Sequence, residues 1–81
     1  MTLAWRHDAH SWVASCGEEG QGVVRVVEYR DGWAWTLDML PGTDEPTIRA
    51  VRPLPTQVEA KAEAERQVRE WPAPIEGARQ I

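Results

Sequence analysis

The chain has 81 residues, which suit one small domain, and 42% hydrophobic with 27% charged residues is ordinary for a globular protein. Thirteen acidic against nine basic residues give a net charge of −4, which argues against wrapping a phosphate backbone. The single cysteine, Cys16, excludes an internal disulfide and favours a reducing compartment. Residues 1–6 lack the apolar core of a signal peptide, and no segment is apolar enough for a membrane helix. We therefore expect a cytoplasmic protein without membrane contact.

The N-terminal region contains two short β-compatible segments, residues 3–6 and 11–16. The segment His7–His10 between them is typical of a turn or a bulge, so the two segments form either two strands or one long bent strand. Residues 17–22 contain three Gly and two Glu and predict a flexible, acidic hairpin loop.

The centre of the chain predicts a β-hairpin. Residues 23–29 are mostly β-branched, and residues 33–39 alternate apolar and polar side chains with a period of two. Between them Asp31-Gly32 is a strong hairpin signal.

Two registers are compatible with that turn. A two-residue turn at Asp31-Gly32 pairs Arg30 with Trp33 and leaves Arg25 on the solvent face, opposite Asp38. A three-residue turn pairs Tyr29 with Trp33 and places Arg25 on the buried face. We favour the first because it buries no charge in the middle of the sheet.

The C-terminal part begins with a loop at 40–46 and a short strand at 47–52, expected at a sheet edge because prolines flank it. Thr56 and Glu59 form a capping box that starts a helix over 57–70. Apolar residues recur along one face of this helix at helical spacing: Ala60, Ala64, Val68 and Trp71.

The sequence therefore predicts an α+β fold, a three- to five-stranded antiparallel β-meander with one C-terminal helix packed on one face. The domain is expected over residues 1–71 and an extended, partly disordered tail over 72–81, since the tail lacks periodicity. The predicted core comprises Val24, Val26, Trp35, Leu37, Met39, Ile48, Ala60, Ala64 and Val68.

No motif in the sequence predicts a catalytic, metal-binding or phosphate-binding site. His7 and His10 could supply two metal ligands, but zinc needs three or four, so a polar turn explains them better. Cys16 could pair with a histidine as a nucleophile, yet Glu18 and Glu19 would raise the pKa of its thiol. The glycines of 17–22 lack the helix and the Lys-Ser/Thr pair of a phosphate loop. We expect no catalytic residue, no metal site, no cofactor and no enzyme activity.

The aromatic and basic residues indicate where a partner could bind. With five Trp and no Phe, a thin core must use Trp for volume, which accounts for Trp33, Trp35 and Trp71. Trp5 and Trp12 are less constrained. Several Arg, with Arg6 and Arg30 among them, are expected on the outer face of the sheet or at its edge. The candidate partner surface is Trp5, Trp12, Arg25, Tyr29, Arg49 and Arg52.

The leading functional hypothesis is a small non-enzymatic binding or accessory protein that acts through protein contacts. One helix cannot cover both faces of a sheet, so a homodimer through the open face or an edge is a further expectation. The alternative is a nucleic-acid-binding module that uses Arg residues of the open face, which the acidic balance disfavours.

The layout as a whole resembles that of small uncharacterised proteins of phages, prophages and bacterial genomes. The resemblance rests on Trp5, a Gly-rich loop, a Val-rich strand, Trp33-Ala34-Trp35, a short strand containing Ala50, and the helix segment 60–65. The chain is also loosely similar to the β-β-β-α DNA-binding domains of phage integrases, from which its net charge departs. Neither resemblance assigns a functional residue.

Overall fold

The computed structural model describes residues 3–17, 20–39 and 47–80, which contain one helix and six strands. All strands are antiparallel and lie in one sheet in chain order, β1 to β6. The α+β class is confirmed, although the sheet has six strands instead of three to five. The elements are β1 (Arg6–Asp8), β2 (Ser11–Cys16), β3 (Gly22–Tyr29), β4 (Gly32–Met39), β5 (Thr47–Ala50), α1 (Gln57–Glu70) and β6 (Ala78–Gln80).

The N-terminal region forms two strands. Asp8 pairs with Ser11, so Ala9 and His10 make a two-residue turn, and Ala9 has a positive φ of 54°. The predicted loop at 40–46 and the two glutamates of the predicted loop at 17–22 lie outside the described residues.

The central hairpin has neither predicted register. Tyr29 pairs with Gly32, so the two loop residues are Arg30 and Asp31. The favoured register was wrong by two residues, and Val26 pairs with Trp35. Because the shift is even, every side chain keeps its predicted face, and Arg25 stays on the solvent face.

The position of Gly32 explains this shift. Gly32 has a φ of 141°, and a Cβ atom there would collide with the carbonyl oxygen of Leu54. The adjacent Trp33 and Leu54 exchange two backbone hydrogen bonds of 2.8 and 2.7 Å. Gly32 is therefore needed for the approach of residue 54, and the local turn falls one residue earlier.

The core lies between one face of the sheet and α1, which packs on β4 and β3. Eight of the nine predicted core residues are buried, whereas Val68 is half-buried. The helix has its predicted bounds, and the hydroxyl of Thr56 accepts a hydrogen bond from the amide of Glu59 at 3.2 Å. Further buried hydrophobic residues are Val13, Ala14, Cys16 and Ala50.

The C-terminal segment returns to the sheet through a buried glutamine. Gln67 is fully buried, donates to the carbonyl of Ala73 and accepts from the amide of Ile75, both at 2.8 Å. The chain then pairs β6 with β5, and the amide of Val51 donates to the carbonyl of Gly77 at 2.8 Å. Residues 78–80 thus form an edge strand in the segment that the sequence assigned to an extended tail. The prediction of an edge position for β5 was wrong, because β5 lies between β4 and β6.

Candidate binding surface

The two faces of the sheet carry different side chains. On the face covered by α1 lie the tryptophans, which are buried in the core or pack against it: Trp5, Trp12, Trp33, Trp35 and Trp71. The opposite face, here called the open face, has no helix of the described chain upon it. Its side chains come from the alternate positions of every strand.

Four arginines of the open face share one cross-strand row. The register aligns Arg6 with Val13, Val13 with Arg25, Arg25 with Thr36, Thr36 with Arg49, and Arg49 with Arg79. We call Arg6, Arg25, Arg49 and Arg79 the Arg row. It crosses all six strands of the described sheet, a distance of about 24 Å at the usual strand spacing.

The arginine side chains also cover part of the sheet. Arg25 donates from Nη1 to the hydroxyl of Ser11 at 3.3 Å, so its side chain extends over β2. Val13, directly between Arg6 and Arg25 in the row, is only 5% exposed although α1 lies on the other face. Arg6 and Arg25 are the cross-strand neighbours of Val13 on this face, and long arginine side chains can cover apolar surface while their guanidinium groups stay in solvent.

Charge on the open face is predominantly positive. Asp38 lies in a neighbouring row, paired with Val23 and Thr47 and not with Arg25 as the favoured register required. Asp8 lies beside the row at the β1 edge. Among the described strand residues of this face, four Arg therefore stand against two Asp, although the whole chain is acidic.

Apolar side chains flank the Arg row. Tyr29 is 57% exposed and Val51 56%, both high for large hydrophobic residues, and Val27 and Ala34 are half-buried. A surface depression at this end of the sheet is lined by Tyr29, Ala34, Arg49, Val51, Arg52 and Pro53. Exposed Tyr, Arg and aliphatic groups together are typical of protein interfaces.

The structure brings together four of the six residues of the candidate partner surface. Arg25, Tyr29 and Arg49 lie on the open face, and Arg52 lies at the rim of the depression. The sequence did not identify Arg79, because residues 78–80 carry no strand signal. It also missed Val51, whose exposed side chain follows β5.

Trp5 and Trp12 lie on the helix-covered side. The Trp5 indole donates to the Glu65 carboxylate at 2.9 Å, and the Lys61 ammonium lies 3.5 Å from the centre of the Trp12 ring. Burial lowers the pKa of Lys61, while the nearby Glu65 carboxylate opposes this shift. Both tryptophans are half-buried and connect the N-terminal region to α1.

The groups considered for chemistry are separated or buried. Cys16 is 5% exposed, with its Sγ 3.8 Å from the Sδ of Met39, and burial raises the pKa of its thiol. The ring of His7 packs on Trp12 at a centroid distance of 4.9 Å. Within residues 3–17, 20–39 and 47–80, no three His, Cys, Asp or Glu side chains are grouped so that they could hold a metal ion.

Comparison of the chain with protein-family models, curated proteins and solved structures found no match. The resemblance to small phage and bacterial proteins therefore stays a prediction. In the part of the chain that the structure describes, no helix has the length and apolar character needed to cross a bilayer.

Proposed function

We propose that this chain is a small non-enzymatic binding protein that contacts a protein partner through the open face of its sheet. The observation that carries the proposal is the exposure of Tyr29 and Val51 beside the Arg row. Tyr and Arg are the residues most often responsible for binding energy at protein interfaces. The buried, protonated thiol of Cys16 supports a non-enzymatic role, since thiol nucleophiles need an accessible thiolate. A cytoplasmic location stays a prediction from the composition.

Nucleic-acid binding is the second candidate, and the Arg row is the observation that favours it, because arginines contact phosphates. Two observations oppose it. The net charge is −4, and Tyr29 is the one aromatic side chain among the described residues of the open face, whereas base stacking uses several.

A homodimer through the open face is the third arrangement. A two-fold axis near the centre of the face would place Arg25 and Arg49 close to their own copies, and like charges repel. This repulsion favours a different partner over a second copy.

Site-specific photocrosslinking tests the proposal. Tyr29 is replaced by p-benzoylphenylalanine in the full chain expressed in its source cells, and the matched control carries the same group at Val58. Val58 lies on α1 and is 71% exposed, so it reports random collisions. We expect a discrete protein adduct from position 29 that position 58 does not give. Equal adducts at both positions, or none at position 29, would contradict the proposal.

A further inference from the structure

We infer that the partner presents an acidic, extended segment of chain that crosses the strands along the Arg row. This inference rests on the proposed function and names the chemistry of the partner. Its basis is charge complementarity, because the open face concentrates cationic groups in a protein that is acidic overall.

The shape of the row favours a narrow, extended ligand. From Arg6 to Arg79 the row runs about 24 Å, which an extended peptide of about seven residues would span. Successive arginines of the row are about 10, 10 and 5 Å apart at the usual strand spacing, and their long side chains can adjust to carboxylates on alternate peptide residues.

Apolar groups on one side of the row fit a peptide better than a polynucleotide. Val27, Ala34 and Val51 offer aliphatic surface beside the guanidinium groups. A strand-like segment with acidic side chains on one side and aliphatic ones interspersed would contact both features. A single-stranded nucleic acid would find phosphate contacts but a poor stacking surface.

The arginines of the row can bind a ligand because few of them make hydrogen bonds within the described part of the chain. Arg25 makes one hydrogen bond to Ser11, with a neutral hydroxyl that a carboxylate can outcompete. Arg49 is exposed and faces Thr36 and Arg79 as its cross-strand neighbours, so no acidic side chain is directly opposite it. A bound carboxylate would relieve the repulsion between Arg49 and Arg79.

The test measures binding of a fluorescein-labelled peptide of eight residues that alternates glutamate and valine. Fluorescence anisotropy with the full chain should give a dissociation constant of roughly 10–300 μM that weakens as salt rises. A peptide with glutamine in place of glutamate should not bind. The variant Arg25→Gln with Arg49→Gln should lower affinity about tenfold, since each exposed ion pair contributes up to about fivefold.

The matched control is Arg66→Gln with Arg69→Gln, which removes two exposed charges from α1 and should leave the affinity unchanged. Thermal unfolding of both double variants shows whether the fold is intact. Arg49→Gln with Arg79→Gln is a second row variant that leaves the Ser11 contact in place, and it should also bind about tenfold more weakly.

Three results of the binding assay would overturn the inference. They are absence of peptide binding, equal loss in the α1 control, and tighter binding of an eight-nucleotide oligothymidylate than of the peptide. A crosslinked adduct of two copies of this chain at position 29 would likewise replace the acidic partner with a second copy. If position 29 captures another protein whose capture is unaffected by Arg25→Gln with Arg49→Gln, this inference fails while the proposed function stands.

Discussion

Replacing Gln67 with leucine should weaken the attachment of the C-terminal segment and destabilise the domain. Gln67→Leu removes one donor and one acceptor, leaving the Ala73 carbonyl and the Ile75 amide without their side-chain partner. A buried polar group without a partner costs about 1–3 kcal/mol, and because both bonds are only partly buried, roughly 2–6 kcal/mol is an upper range for the two groups. Detachment of the segment would let water form hydrogen bonds with both groups. This limits the loss of unfolding free energy to about 2–4 kcal/mol.

That loss is large for this chain. A domain of this length is expected to unfold with a free energy of about 4–12 kcal/mol. Urea denaturation followed by far-ultraviolet circular dichroism measures the change, and the midpoint of thermal unfolding should fall by about 10–25 °C. Hydrogen exchange at the Val51 amide, which donates to Gly77, should accelerate because this bond depends on the attached segment.

The matched control is Gln57→Leu, the same substitution in the first turn of the same helix, where the glutamine side chain makes no hydrogen bond in the described structure. We expect a change within about 0.5 kcal/mol there. The reasoning is refuted if Gln67→Leu also falls within that range, or if the Val51 amide exchanges as slowly as in the wild-type protein.

Four further predictions concern the core and the helix cap. Gly22→Ala should cost about 1–3 kcal/mol because its Cβ would meet the sulfur atoms of Met39 and Cys16, and adding Met39→Ala should make the glycine substitution less costly in a double-mutant cycle. Cys16 should react with N-ethylmaleimide at least about a hundredfold more slowly in the folded chain than in urea, and equal rates would contradict its burial. The raised pKa of the Cys16 thiol means that, above the ordinary value of 9.0, the folded state keeps a proton that the unfolded state releases. The free energy of unfolding should therefore decrease as pH rises above 9.0, and Cys16→Ala should remove this effect. Thr56→Ala should cost about 1 kcal/mol and Thr56→Ser much less, since serine also caps.

The helix and the buried faces could be predicted because they depend on local patterns. The capping box at Thr56, the good helix formers after it and the period of two in residues 33–39 each act within a few residues. These patterns define which side chains face the core, and a register shift of two residues leaves each side chain on its predicted face. For this reason the buried set survived a two-residue error in the hairpin.

The register and the last strand depend on contacts distant in sequence. Gly32 looked like a turn residue, but its neighbour in space is Leu54, more than twenty positions later. Residues 78–80 have no strand propensity and pair because Gln67 holds the preceding segment. Gln67 continues the helical stripe three residues after Ala64, and this spacing indicates that its side chain is buried. Because glutamine is polar, Gln67 was not predicted to belong to the core.

The candidate surface was partly predictable for the same reason. Alternation along a strand shows that Arg25 points away from the core, but alignment of Arg6, Arg25, Arg49 and Arg79 requires the pairing of all six strands. A row across a sheet is a property of registers, and a single sequence contains no direct signal for five of them at once.

The segregation of the five tryptophans on the helix-covered side has an optical consequence. Indole emission from this protein reports the packing of the core and of α1 on the sheet, because emission wavelength follows the exposure of the ring. Trp35, 1% exposed and donating to Glu63 at 3.1 Å, should emit at short wavelength until the chain unfolds. A ligand bound to the open face would leave the tryptophan emission spectrum almost unchanged. Its binding must therefore be detected through Tyr29 or an added label.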